Sequence, residues 1–300
     1  MSEIAGETET WTGLGEVTAP SGVLVLGMAG GIGVWPELGR PLSERAREAA
    51  AAGGGHLRDG LCEAVAVPAR ADGTLTVRAA TEPSVFDEEP VISVLEVELG
   101  VPWPDGAGDA PVRLGDLPVD RCGTVVGDAV ALDAWTGLAD ESDDGLADLA
   151  YWGRHVDAAH AHFGGERMTP GDDGGPCGWL DLPVAEAERK AAALEAWTRE
   201  HHQGRGLVWS VDAHTDFHRF QRAGRDHPLE AGRIEVAGCR VLGIGWNPGD
   251  HAMRHHGERD AGQVHPVTLH RAADGGTVLR WTIPPHDEWD ERDEQEEYRA

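Results

Sequence analysis

Between Leu207 and Phe220 apolar and polar residues sort by parity. Leu207, Trp209, Val211, Ala213, Thr215 and Phe217 take the odd positions, and Asp212, His214, Asp216 and His218 take the even ones. Side chains of a strand alternate faces, so this pattern predicts one long half-buried strand whose polar face carries four groups able to ligate metal or move protons. Further strands are predicted at 62–69 and 74–79, flanking Ala71-Asp72-Gly73 as a hairpin turn. Residues 91–99 read as a strand with Val91, Ser93, Leu95, Val97 and Leu99 on one side and Glu96 and Glu98 on the other. Two more hairpins are expected, 233–236 with 239–244 around Ala237-Gly238, and 263–270 with 277–283 around Asp274-Gly275-Gly276.

Helical spacing interrupts these strands. Residues 40–52 read as a helix with Ser43 as its N-cap and Gly53-Gly54-Gly55 as its stop, and 128–135 as a second short one. Two longer helices are expected, from about Asp143 to Phe163 with Leu146, Leu149, Val156 and Phe163 on one stripe, and from Pro183 to about His202 with Val184, Ala187, Ala191, Leu194 and Trp197 toward the core. Strands in runs and helices in runs predict an α+β fold with mainly antiparallel sheet, as a sandwich or as curved sheets with hairpins. The polar run 139–145 is the expected boundary, giving a β-rich domain over 1–138 and a helix pair with antiparallel sheet over 145–285. Residues 286–300, mostly Asp and Glu, are expected to form a disordered tail or a solvated helix.

Charge narrows the partners. With 53 acidic against 25 basic residues the formal net charge is −28, a field that repels nucleic acid and suits metal ions, cationic molecules or a basic protein surface. A GC-rich coding sequence explains the same charge without function, since Lys190 is the only lysine. Cys62, Cys122, Cys177 and Cys239 form no Cys-x-x-Cys pair, and with no basic leader in residues 1–10 they read as reduced thiols of a cytoplasmic protein. No apolar run reaches the roughly 18 residues of a membrane span.

Five short segments carry three resemblances to known families. Residues 23–33, Val-Leu-Val-Leu-Gly-Met-Ala-Gly-Gly-Ile-Gly, resemble the glycine-rich turn of short-chain dehydrogenases, which implies a pyrophosphate at a helix start. Pro36 follows where that family has an apolar helix, and its Tyr-x-x-x-Lys pair is missing, so no cofactor residue is carried over. Val211-Asp212-Ala213-His214-Thr215-Asp216 and Gly249-Asp250-His251 are similar to two motifs of the arginase and agmatinase family of binuclear manganese hydrolases, in reversed order. Residues 15–25 with 117–129 resemble an uncharacterised bacterial family of unknown function, number four-two-four-one, which implies a β-rich fold and transfers no catalytic residue.

The candidate metal ligands are therefore Asp212, His214, Asp216 and His218 on the strand, with His251 and His255 in the following loop, and a carboxylate and imidazole mixture of this kind suits Mn, Zn or Fe. His256 and Glu258 lie in the same loop. The plain alternative is a strand that shows a polar face to water or to Arg219 and Arg222. His160 falls on a core stripe, while His155 and His162 lie opposite it. His201 and His202 cap a helix C-terminus. Cys177 is read as a packing thiol before a nucleophile, because no histidine adjoins it in sequence. The 11 tryptophans either fill the core or line a pocket. Two functions remain: a non-catalytic acidic protein that binds a basic partner, as an antidote or regulator does, which is favoured, and a metal-dependent hydrolase built on the residues just named.

Overall fold

A computed structural model describes residues 10–32, 39–59, 62–83, 90–104, 106, 108–118, 123–137, 141–142, 144–168, 175–224, 227–245 and 264–283. The fold is α+β, and every described strand pair is antiparallel. The chain divides into two compact units, one of residues 1–137 and 219–300, the other of residues 138–218. Among the described residues no helix is long and apolar enough to cross a membrane.

Among the described residues the first unit holds two six-stranded sheets. One has β1 (Thr10–Val17), β5 (Leu75–Pro83), β6 (Pro90–Pro102), β16 (Gly276–Thr282), β15 (Val264–Arg271) and β7 (Val112–Pro118) side by side. The other orders β13 (Ala231–Val236), β14 (Cys239–Ile244), β8 (Thr124–Asp128), β2 (Val23–Met28), β4 (Cys62–Pro68) and β3 (Gly55–Asp59). Leu24, Leu26, Val65 and Val67 of the second sheet share one core with Val77, Leu95, Val97, Leu279 and Trp281 of the first, which makes a β-sandwich. Full burial of each such side chain contributes about 1.5–3 kcal/mol. Helices α1 (Ala29–Ile32) and α2 (Leu42–Ala51) cover β2 and β4 from the other side. These strands are thus buried on both faces, which is why 23–28 reads as an unbroken apolar run.

Several expectations change here. The strands at 62–69 and 74–79 are not a hairpin: β4 pairs with β2 and β3, whereas β5 pairs with β1 and β6, so the Asp72-Gly73 turn passes the chain between sheets. Asp128 ends a strand, and its Oδ1 accepts the N–H groups of Val130 and Ala131 to start a single 3-10 turn at Ala131–Ala134. Pro41, not Ser43, is the N-cap of α2; the Ser43 N–H donates to Asp133 Oδ1 at 2.9 Å. Gly27, within β2, serves packing. A Cβ on Gly27 would lie 2.9 Å from both Ala64 Cβ and Ile32 Cδ1, and β2 is antiparallel to both neighbours, unlike the parallel strand that a dinucleotide turn follows.

Among the described residues the second unit has one sheet, ordered β10 (Glu166–Arg167), β11 (Cys177–Pro183), β9 (Leu146–Trp152), β12 (Val208–Ala213). Helices α3 (Val156–Phe163) and α4 (Val184–His202) belong to its core with Ala147, Leu149, Tyr151 and Leu207. The helix expected over 143–163 is a strand in its first half. Ala147, Leu149 and Tyr151 are buried in alternation, and Gly153, at φ 116° against the backbone of Gly206, separates strand from helix. The helix from Pro183 is as expected, with Pro183 at its N-cap and Ala187, Ala191 and Leu194 buried.

The long strand expected over 207–220 stops at Ala213. Its partner β9 ends there, since Ala213 faces Ala147 and the His214 N–H takes the last ladder carbonyl, that of Leu146, at 3.0 Å. Without further pairing the chain turns into α5 (Asp216–Gly224), where Phe217 and Phe220, three residues apart, are both buried. The expected 145–285 domain also differs. Its hairpins 231–244 and 264–282 form as predicted, but they complete the two sheets of the first unit, and alternation along a strand does not encode which sheet receives it. Residues 286–300 lie outside the described residues.

Candidate metal centre

Directly opposed residues of an antiparallel pair share a face, so the register fixes which side chains of the second unit meet. Leu149 and Tyr151 face the helices along with Val211 and Trp209, and this leaves Asp148 opposite Asp212 on the other face. His214 follows at the end of β12 and is 5% exposed. On the far side of β9, β11 carries an irregularity between Trp179 and Leu182, and within it Asp181 takes φ 55°. A left-handed conformation is uncommon for a residue other than glycine, and a bulge re-aims the side chain it carries. Here the Asp181 N–H donates to Asp148 Oδ1 at 2.9 Å.

The result is a cluster of Asp148, Asp181 and His214, with one donor atom from each within 4.8 Å of the others. His214 Nε2 lies 2.9 Å from Asp148 Oδ1 and 3.9 Å from Asp181 Oδ1. Its Nδ1 lies 3.3 Å from Asp144 Oδ2. Asp144 also accepts the Leu146 N–H at 2.9 Å and the Ser142 hydroxyl at 3.0 Å, which fixes its carboxylate.

The electrostatics follow from this arrangement. Burial opposes a charge on His214, but its bonds to Asp148 and Asp144 outweigh burial and raise its pKa. Burial likewise opposes the Asp144 carboxylate, and the Leu146 N–H, the Ser142 hydroxyl and His214 outweigh it and hold its pKa below the usual value. His218 behaves in the opposite way. Burial is the largest influence and lowers its pKa, with His214 acting in the same sense and Asp212 and Asp148 against it. Its Nδ1 meets the Thr215 hydroxyl at 3.1 Å and its Nε2 lies 3.9 Å from Asp212 Oδ1.

The expected ligands divide accordingly. His214 is the centre of the cluster. Asp212 stands across from Asp148 and accepts the Ser210 hydroxyl at 3.0 Å. Asp216 is buried at the start of α5 and His218 follows on that helix, so the shared strand face expected for the four residues does not exist. His251 and His255 lie outside the described residues. Asp144, Asp148 and Asp181 were not singled out by sequence. The signal for Asp148 was present as the alternation in Leu-Ala-Asp-Leu-Ala-Tyr-Trp, which also fits a helical stripe; Asp181 gave none, because its placement depends on a bulge.

Other candidates resolve into packing. Cys177 is a buried thiol of β11, not a loop nucleophile, and burial pushes its pKa up. Trp103, Trp135 and Trp281 are core residues. No protein-family model, curated protein or solved structure matches this chain. The molecule is thus a β-sandwich interrupted by a smaller α+β unit that carries an Asp/His cluster with metal-compatible donors, and the geometry of that cluster is the basis for any statement of function.

Proposed function

We propose that the second unit binds one divalent metal ion through His214, Asp148 and Asp181, and that the bound ion serves hydrolysis. The supporting observation is the convergence on a buried imidazole of donors from three chain segments, one of them aimed by a left-handed residue. Around an ion with bonds near 2.1 Å, tetrahedral ligand atoms lie about 3.4 Å apart. The separations of 2.9 and 3.9 Å bracket that value. Asp144 on Nδ1 is the carboxylate that orients a ligating histidine in many metal sites and makes Nε2 the better donor.

Asp181 is 56% exposed at its side chain, so the coordination sphere opens toward solvent on that side. A divalent ion with three protein ligands keeps a position for water and lowers the pKa of that water toward neutrality. His218, held neutral by burial and turned by Thr215, supplies an imidazole able to accept a proton beside the cluster. The donor set of two carboxylates and one imidazole suits Mn, Zn or Fe. The acidic-binder reading rests on net charge, an incomplete catalytic motif and a family resemblance, none of which singles out a binding residue.

Purified without a histidine tag, the protein is expected to retain close to one equivalent of metal and to gain thermal stability when Mn, Zn or Fe is restored after chelation. Asp148→Asn should lose both. Substoichiometric metal that exchanges freely, with no thermal response to any of the three ions, overturns the proposal. Chelator-sensitive turnover of generic ester, phosphoester or amide probes separates a hydrolase from a metal-binding protein.

A further inference from the structure

At the opposite end of β9 and β12 from the metal cluster, two histidines meet face to face. The His155 and His202 rings stack with centroids 3.8 Å apart and planes 11° from parallel. His155 is the N-cap of α3, just after β9, and His202 is the last residue of α4, just before the connection into β12. The pair therefore joins the two connections leading to and from the strands on which the cluster rests. Three backbone features mark the same place. The His155 N–H donates to Gly206 O at 3.0 Å, a Cβ on Gly206 would lie 2.6 Å from His155 Cδ2, and Gln203 closes α4 in a left-handed conformation at φ 54°.

We propose that the stacked His155–His202 pair is a pH-sensitive clip that holds residues 203–207 to the start of α3 near neutrality and releases them on acidification. Two flat imidazoles at this distance attract when at least one is neutral and repel when both are charged. The surroundings offer little to neutralise a second charge. From α4, His201 stands 6.4 Å from His202, and its Nδ1 bonds to Trp197 O at 3.0 Å. Trp197 presents its edge or face to His202 at 4.8 Å, with His162 of α3 beyond it at 6.0 Å. Asp157, two residues after His155, pairs with Arg167, Glu195 of α4 pairs with Arg199, Arg154 and Glu200 flank the two histidines in sequence and are exposed, and Arg205 in the connection is exposed.

A positive charge at a helix C-terminus is ordinarily favourable. At His202 burial, then the charges of His155 and His201, outweigh that preference and lower its pKa. The sign follows directly. The unfolded chain binds the proton more readily than the folded one, so stability contributed by the neutral stack is present above pH 6.5 and is lost as pH falls below it.

Amide exchange of the full chain, corrected for the intrinsic effect of pH, tests the clip at Gly204, Arg205 and His155, all hydrogen-bonded at neutrality. Protection at these amides should fall by roughly threefold or more from pH 8 to pH 5 in the wild type, in the direction that linkage to a histidine of lowered pKa requires. In His202→Phe, which keeps an aromatic ring without a titrating group, it should fall much less. Unchanged protection in the wild type overturns the proposal whether or not the variant folds, and so does an equal fall in both proteins.

Discussion

Replacing Asp144 with Asn tests whether the metal centre depends on an oriented imidazole. Asp144 touches His214 Nδ1 and is outside the metal-compatible trio. Asn keeps an acceptor for the Leu146 N–H but turns its NH2 toward His214 Nδ1, so both the charge and the acceptor that make His214 Nε2 a stronger donor are lost. Loss of such a carboxylate costs about 10–100-fold in metal affinity. The contact is long, 3.3 Å, and the Asp144 side chain is 51% exposed, so the lower end applies, about tenfold or 1.4 kcal/mol. At a free metal concentration 100 times the wild-type Kd, stabilisation by the ion should drop from about 2.7 to about 1.4 kcal/mol. Titration calorimetry on chelator-stripped protein reads the Kd ratio directly, with Asp148→Asn as the variant expected to lose more than 100-fold, roughly, because it removes a ligand. If Asp144→Asn binds like the wild type while Asp148→Asn fails, His214 is oriented by something other than Asp144. If all three bind alike, the cluster is not the site.

Two further perturbations probe the frame. Glu96 on β6 is 2% exposed and grips two arginines, Arg78 through Oε2 at 2.7 and 2.9 Å and Arg280 through Oε1. Glu96→Ala strands both guanidinium groups, but each is about a third exposed and can rehydrate, so the expected cost in urea unfolding is about 2–3 kcal/mol, below the 3–5 of a fully buried pair; a loss under about 0.5 kcal/mol shows that the triad contributes nothing net. Gly178 on β11 has no room for a side chain, because a Cβ would lie 2.1 Å from Leu149 O and 2.5 Å from Met168 Cε. Gly178→Ala should cost about 3 kcal/mol or more and separate β11 from β9. It should thereby abolish metal binding by moving Asp181 from Asp148, and a variant that retains wild-type affinity refutes the role given to the bulge.

Local pattern and pairing were not equally legible in the sequence. The hairpins 231–244 and 264–282 and the helix from Pro183 were readable because a turn dipeptide or an N-terminal proline is a local device that acts through its own dihedral angles. The second half of the 207–220 alternation misled because parity describes a strand only while a partner continues beside it. Leu146 ends that partner, so from His214 onward the same residues obey helical spacing, with Phe217 and Phe220 on one side. This failure and the site share one cause. His214 was legible as a candidate, yet its position at the point where the ladder runs out is what frees its ring from strand geometry and lets both nitrogens reach carboxylates of β9 and of the turn before it. Asp181 reaches the cluster by an equivalent break, a bulge that no alternation announces. Asp148 and Asp212 remain in regular register and stand side by side across the sheet, and the two donors that converge on Asp148, His214 and Asp181, are those placed where the register ends or fails.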